Sequence, residues 1–224
     1  MKKLLIPFLL FFFAIGCSEA PENPLLEIQR AYKDKPSYIV VLDDMKEDGN
    51  VFTEYYQKYK IASGEQVAAT DWQKVNEEFY RKTENFLGMT IWGKDATGKP
   101  ITSPAPPSYS YVGNPEYGQW KNDSSGSSFW EFYGKYAMLS NVLGFAGNLI
   151  YRNNYNGYRQ SQMMGRPFYG VNNQYGTQGR FTQRSKPSFF QRRQARKASS
   201  SFTRSTGRNR TSSYRTRSFG GFGK

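Results

Sequence analysis

The sequence predicts an α+β fold, in which a small antiparallel sheet packs with one or two helices and is followed by a disordered basic C-terminal tail. Two strand-like segments flank a turn within residues 37–61, and a helical period follows in residues 70–87. From Phe132 to the C-terminus the chain has 17 Lys and Arg residues and no Asp or Glu. A segment of one charge sign is typical of an extended tail. We place the α+β domain at residues 37–112.

The first two predicted strands form a hairpin. Residues 38–42 are β-branched, aromatic or leucine, which predicts a buried strand. Residues 46–50 contain Asp48-Gly49, a pair that tolerates the positive φ of a tight turn. Residues 51–61 then alternate apolar and polar side chains, so we expect the second strand to have one solvated face.

A helix and a second hairpin are predicted next. Four apolar residues within 70–87 lie on one helical stripe. Thr70 with Gln73 matches a capping box, and Gly88 stands where a helix terminator is expected. Residues 89–92 and 99–102 predict two short strands around a turn. The proline-rich residues 104–107 end the regular structure.

Residues 113–151 are predicted to be a linker and an aromatic amphipathic helix. Apolar side chains in 129–151 step by three and four positions, as on one helical face. Two interpretations remain open. The helix packs on the α+β domain, or it lies in a membrane interface with Trp130 and Tyr133 at headgroup level and with Lys135 and Arg152 near anionic lipids.

The N-terminus predicts export and an acyl anchor. Residues 1–16 have a basic start, a short apolar run and small residues, as in a signal peptide, and they are too short for a membrane span. Ala14-Ile15-Gly16-Cys17 resembles the lipobox of bacterial lipoproteins, which implies an acylated Cys17 at the mature N-terminus. The alternative is a plain signal peptide with an incidental cysteine. Residues 17–36 are expected to be a tether, and the location is the bacterial cell envelope, at the outer membrane in a Gram-negative host.

Catalytic chemistry finds little support in the residues. The chain has no histidine, which removes the commonest general base and metal ligand. Residues 93–99 match the start of a phosphate-binding loop, but Pro100 stands where Ser or Thr must bind magnesium. Glu77, Glu78 and Glu84 are candidates for a carboxylate-dependent envelope hydrolase by residue type only. We therefore predict no enzymatic activity, no cofactor and no metal site.

The basic segment is the predicted binding element. Residues 152–183 are rich in Tyr, Asn, Gly and Gln, and residues 184–224 in Ser, Arg and Gly, with isolated aromatic residues. Such segments combine phosphate contacts with aromatic stacking. We expect an anionic envelope polymer or lipid as the partner. Binding of a nucleic acid or a polysaccharide is the alternative, and the sequence does not identify a protein partner. The predicted polyanion-binding residues are Arg184, Arg192, Arg193, Arg196, Lys197, Arg204, Arg208, Arg210, Arg215 and Arg217.

The two ends of the chain together resemble a known group. A lipobox-like start, an aromatic middle and a basic tail that ends in Phe219-Gly220-Gly221-Phe222-Gly223-Lys224 are similar to bacterial lipoproteins of the YgiB type, whose tails also carry Gly-Gly-Phe-Gly. This chain differs by its N-terminal α+β region and by its single cysteine. The resemblance implies a membrane-anchored envelope lipoprotein of structural or adaptor type and brings no active site with it.

Overall fold

A computed structural model describes residues 23–49, 52–101, 103–136, 143 and 149–208, with the backbone alone for residues 199–208. The predicted α+β class is confirmed. The helices are α1 (Pro24–Ala31), α2 (Glu77–Thr83), α3 (Arg152–Met163), α4 (Arg180–Ser185) and α5 (Pro187–Arg208). The strands are β1 (Tyr38–Asp48), β2 (Glu54–Ser63), β3 (Gln66–Ala69), β4 (Gln73–Val75), β5 (Thr90–Lys94), β6 (Gly118–Asn122), β7 (Ser128–Phe132) and β8 (Ile150–Tyr151).

The first sheet is built on the predicted hairpin. Its strands are antiparallel in the order β3-β2-β1-β5, and β4 also pairs with β2. Val40 and Leu42 belong to a core cluster on one face of the sheet, and Ile39 and Val41 belong to a cluster on the other face. Because both faces are covered, residues 38–42 are an unbroken apolar run rather than an alternating one. The predicted pairing of β1 with β2 is confirmed, but the turn was placed too early, because residues 46–48 continue β1 and pair with residues 54–56 of β2.

The second sheet replaces the aromatic helix predicted for residues 129–151. Strands β6, β7 and β8 pair antiparallel in that order, and Trp120 lies opposite Trp130 with ring centroids 5.2 Å apart. Trp130 is 4% exposed in a core cluster, so it does not lie at a membrane headgroup level. The helix prediction is wrong over β7 and β8, because cross-strand aromatic pairing outweighs the helical spacing. Residues 137–142 and 144–148 lie outside the described residues.

The helix predicted from residue 70 begins seven residues later. Asn76, not Thr70, is the N-cap, and its side chain accepts a 2.7 Å hydrogen bond from the Phe79 amide. The Thr70 hydroxyl instead accepts from the backbone amide of Tyr59, and Gln73 starts β4. The capping-box prediction is therefore wrong, because residues 66–75 pair along β2.

Two smaller predictions also need correction. The predicted tether contains helix α1, and Leu25 in it is 6% exposed in the first core cluster. The predicted second hairpin is reduced to its turn: β5 pairs with β1, and among the described residues one bridge joins Lys94 to Pro100, with backbone hydrogen bonds from Asp95 to Lys99 and from Ile101 to Gly93. Both differences arise because these short segments find partners on the β1–β2 hairpin that local patterns do not reveal.

The tail predicted from residue 152 does not begin there. Helices α3, α4 and α5 follow, and Tyr158, Tyr175 and Phe189 are each at most 7% exposed in the three core clusters. The domain therefore does not end at residue 112. The segment has few aliphatic residues, but buried aromatic rings offset the entropy cost of ordering it. Residues 209–224 lie outside the described residues.

Candidate anion-binding cleft

Helix α5 lies beside the half of β1 that β5 leaves unpaired. Residues 38–41 of β1 pair with β5, whereas residues 44–48 pair only with β2. Phe189, near the start of α5, is 5% exposed and packs in the cluster that contains Met45 and Tyr80. A helix that covers an open strand edge prevents that edge from pairing with another chain. Burial of Phe189 thus fixes the basic helix on an acidic strand.

Three ion pairs join the basic segment to β1. Lys186 bonds to Asp43, which also lies 3.1 Å from Lys60. Arg192 lies 2.6 Å from Asp44, and Arg196 lies 3.4 Å from Glu47. The positive charges of the C-terminal segment are thus partly neutralised by carboxylates about 140 residues earlier in the chain.

The electrostatics are clearest at Asp43. Its partial burial opposes ionisation, but the hydrogen bonds and charges of Lys186 and Lys60 outweigh burial and hold the pKa of Asp43 below its usual value. The ionised carboxylate is therefore the form that the folded protein favours.

Arg192 is held on two sides. Besides Asp44, its guanidinium lies 5.8 Å from the centroid of the Trp72 ring, and the ammonium groups of Lys46 and Lys58 lie 5.2 Å and 5.1 Å from the same ring. Cations at these distances are attracted to the ring face. We infer that Arg192 mainly fixes the helix to the sheet.

Arg81 of α2 forms ion pairs with two of the three carboxylates that were candidates for catalysis. It lies 3.5 Å from Glu77, 3.2 Å from Glu84 and 3.5 Å from Glu47. Glu78 is exposed, and no described cation forms an ion pair with it. Two of the three candidate carboxylates are thus partners of one guanidinium.

Between β1, α2 and α5 lies a cleft of about 850 Å³. Its apolar lining residues are Met45, Tyr80, Phe189 and Ala195. Its charged lining comprises six cations and three carboxylates, which leaves three positive charges in excess. These residues are Lys46, Arg81, Arg192, Arg193, Arg196 and Lys197, and Glu47, Asp48 and Glu84.

Four of the ten predicted polyanion-binding residues line the cleft. Arg192, Arg193, Arg196 and Lys197 line the cleft, whereas Arg184 is exposed on α4 outside it. The backbones of Arg204 and Arg208 continue α5. Arg210, Arg215, Arg217 and the predicted lipidation residue Cys17 lie outside the described residues.

Sequence reasoning missed the other wall of the cleft. Lys46 lies on β1 and Arg81 on α2, and the two residues are 35 positions apart in the sequence. No local pattern links either of them to α5. The one available signal was charge complementarity, because the acidic residues at 43, 44, 47 and 48 offer partners for a basic helix.

Within the described ranges, no group of three or more His, Cys, Asp or Glu residues could hold a metal ion. No helix in that part of the chain is both long and apolar enough to cross a membrane. Compared with protein-family models, with curated proteins and with solved structures, the chain matches none of them.

Proposed function

We propose that this protein is an exported lipoprotein, anchored through acylated Cys17, that binds an anionic envelope polymer or lipid through its basic C-terminal segment. The single observation that carries the proposal is the cleft wall of α5. On it, Arg193 and Lys197 are exposed, and they lie one helical turn apart beside Arg196. A rigid helix holds these cations in one place, so a partner meets a fixed array of charges rather than a flexible chain.

Charge distribution supports this role. All 18 acidic residues lie between Glu19 and Glu131, and 16 positive residues follow from residue 152 onward. The described carboxylates neutralise Lys186, Arg192 and Arg196 within the fold. Arg184 and Arg193 form no ion pair with a described carboxylate. Some of the predicted binding residues thus stabilise the domain, and others remain for a partner.

The anchor follows from the N-terminal sequence. A single acyl chain binds a bilayer weakly, so stable anchoring at Cys17 requires two or more chains. An anchored protein with a basic surface would bring an anionic polymer or lipid headgroup close to the membrane. This is an adaptor role and requires no catalytic residue.

The test uses the full acylated chain in phosphatidylcholine vesicles, with polyphosphate as the anionic polymer. Binding should weaken at least tenfold between about 50 mM and about 200 mM salt, because each phosphate contact releases counterions. At the lower salt concentration, the double variant Arg193→Gln with Lys197→Gln should bind polyphosphate more weakly than the wild type does. The matched control, Lys33→Gln with Lys99→Gln, removes the same charge outside the cleft and should have a smaller effect.

Two outcomes would contradict the proposal. Binding that does not depend on salt would exclude an electrostatic partner, and a clear preference for a single-stranded oligonucleotide over polyphosphate would favour the nucleic-acid alternative. In cells, Cys17→Ala should release the protein from the membrane fraction. Retention of that variant would place the anchor elsewhere in the chain.

A further inference from the structure

We propose that the cleft between β1, α2 and α5 is a specific site for a phosphate monoester carried on an apolar body. This inference rests on the proposed function, because the same helix supplies the cations. It goes further in that it assigns one saturable site in place of a diffuse basic surface. The volume of about 850 Å³ is in the range of small-molecule sites.

The charges of the cleft favour an anion with more than one negative charge. Lys46 is paired with Asp48 at 2.9 Å, and Arg81 is paired with Glu84 and Glu47. Arg193 lines the same cleft, is exposed, and forms no ion pair with a described carboxylate. Arg192 is already neutralised by Asp44, which lies outside the lining, so two positive charges remain in excess, and a carboxylate, with one charge, would neutralise only one of them.

Arginine geometry favours phosphate over other dianions. A guanidinium presents parallel N–H donors that match two phosphate oxygens, and three further arginines line the cleft beside Arg193. Arg193 and Lys197 are four residues apart on α5, so both face the same side of the helix. A phosphate group between them would receive donors from one rigid element.

The lining also has an apolar part. Met45, Tyr80 and Phe189 contribute to it, and each is at most 5% exposed. The Tyr80 hydroxyl is protonated at neutral pH, as burial also favours by raising the pKa of the phenol, and it can donate a hydrogen bond. The polar residues Asn85 and Gln178 also line the cleft. A ligand would therefore place its phosphate beside Arg193 and Lys197 and its apolar part against Met45, Tyr80 and Phe189.

The experiment measures binding to the full acylated chain in phosphatidylcholine nanodiscs by calorimetry. Phenyl phosphate should bind with one-to-one saturation and at least tenfold more tightly than inorganic phosphate or benzyl alcohol. Arg193→Gln with Lys197→Gln should weaken phenyl phosphate binding at least tenfold. Arg184→Gln, an exposed cation outside the cleft, should leave it unchanged. All these side chains are exposed, so we expect the variants to keep the wild-type thermal transition.

The source of the phosphate is tested in a second arm. If nanodiscs that also contain phosphatidic acid weaken phenyl phosphate binding competitively, the ligand is a lipid headgroup, and if they do not, it is a soluble phosphate ester. Either result is compatible with the site.

Other outcomes would overturn the inference. An equal loss in Arg184→Gln would show a diffuse charge effect, and equal affinity for inorganic phosphate would exclude the apolar body. If polyphosphate binds but phenyl phosphate does not, the cleft site fails and the proposed function stands. If phenyl phosphate binds at Arg193 and polyphosphate does not bind, the proposed function fails alone.

Discussion

The β1–β2 hairpin and the C-terminal helices carry opposite charges and reach the fold by different routes. The hairpin closes through neighbouring residues, and its register continues from Asp48 opposite Glu54 to Ile39 opposite Ala62. The helices α4 and α5 make their main charged contacts about 140 residues away, as Lys186 does with Asp43. Local pairing closes a short loop, whereas the contact between Lys186 and Asp43 must offset the entropy cost of closing a loop of 143 residues.

The two regions share core clusters. Leu42 on β1 and Phe189 on α5 belong to one cluster, and Val41 on β1 and Tyr175, which precedes α4, belong to another. The difference teaches that a strongly basic segment can be part of a folded domain when carboxylates elsewhere in the chain neutralise some of its charge. Three predictions test how closely the two regions depend on each other.

The largest effect is expected from truncation. A chain that ends at Tyr151 should lose its cooperative thermal transition, because it exposes the core surfaces that Tyr158, Tyr175 and Phe189 cover. A chain that ends at Arg208 is the control, and it should melt like the full chain because it keeps these three side chains. Circular dichroism melting of both forms checks this. A normal transition in the shorter form would show that the hairpin folds without the C-terminal helices.

A smaller effect is expected from single core substitutions. Phe189→Ala should lower the free energy of unfolding by about 3–5 kcal/mol, and Leu42→Ala by about 2–5 kcal/mol, because each leaves a cavity in the same cluster. Phe52→Ala is the control, since that ring is 83% exposed. Urea unfolding measures all three. If Phe189→Ala behaves like Phe52→Ala while Leu42→Ala is destabilised, then α5 is not part of the cooperative unit.

The smallest effect concerns the ion pairs between the regions. Asp43→Asn should lower the free energy of unfolding near neutral pH by about 1–3 kcal/mol, because Lys186 and Lys60 lose a charged partner. The pKa of Asp43 is lowered in the folded protein, so its contribution is complete above the unfolded pKa of about 3.9 and is lost as the pH falls through the lowered value.

Denaturation of wild type and Asp43→Asn at several pH values measures this linkage. The gap between the two proteins should be constant near neutral pH and close on acidification below about pH 4. Asp71→Asn is the control, because Asp71 is exposed and no described cation pairs with it. A gap that stays constant into strong acid would show that the Asp43 pairs do not favour its ionised form in the folded state.

The sequence by itself determined the α+β class, the β1–β2 hairpin and the basic character of α5. Residues 38–42 reveal a buried strand because burial on both faces requires an unbroken apolar run. Arg192, Arg193, Arg196 and Lys197 were predicted as binding residues from charge alone, and the structure brings these four together in one cleft. Such features depend on neighbouring residues, so they can be inferred without the fold.

Only the tertiary structure decided where these cations lie and what faces them. Residues 128–132 satisfy a helical spacing, yet they form β7 because Trp120 pairs with Trp130 across the sheet. The segment from residue 152 has few aliphatic residues, yet Phe189 and Tyr158 pack in core clusters with residues of distant strands. Arg81 likewise lines one cleft with residues of α5 because the tertiary structure packs distant segments together. Contacts between residues far apart in the chain leave no periodic signal, so the packed domain alone reveals them.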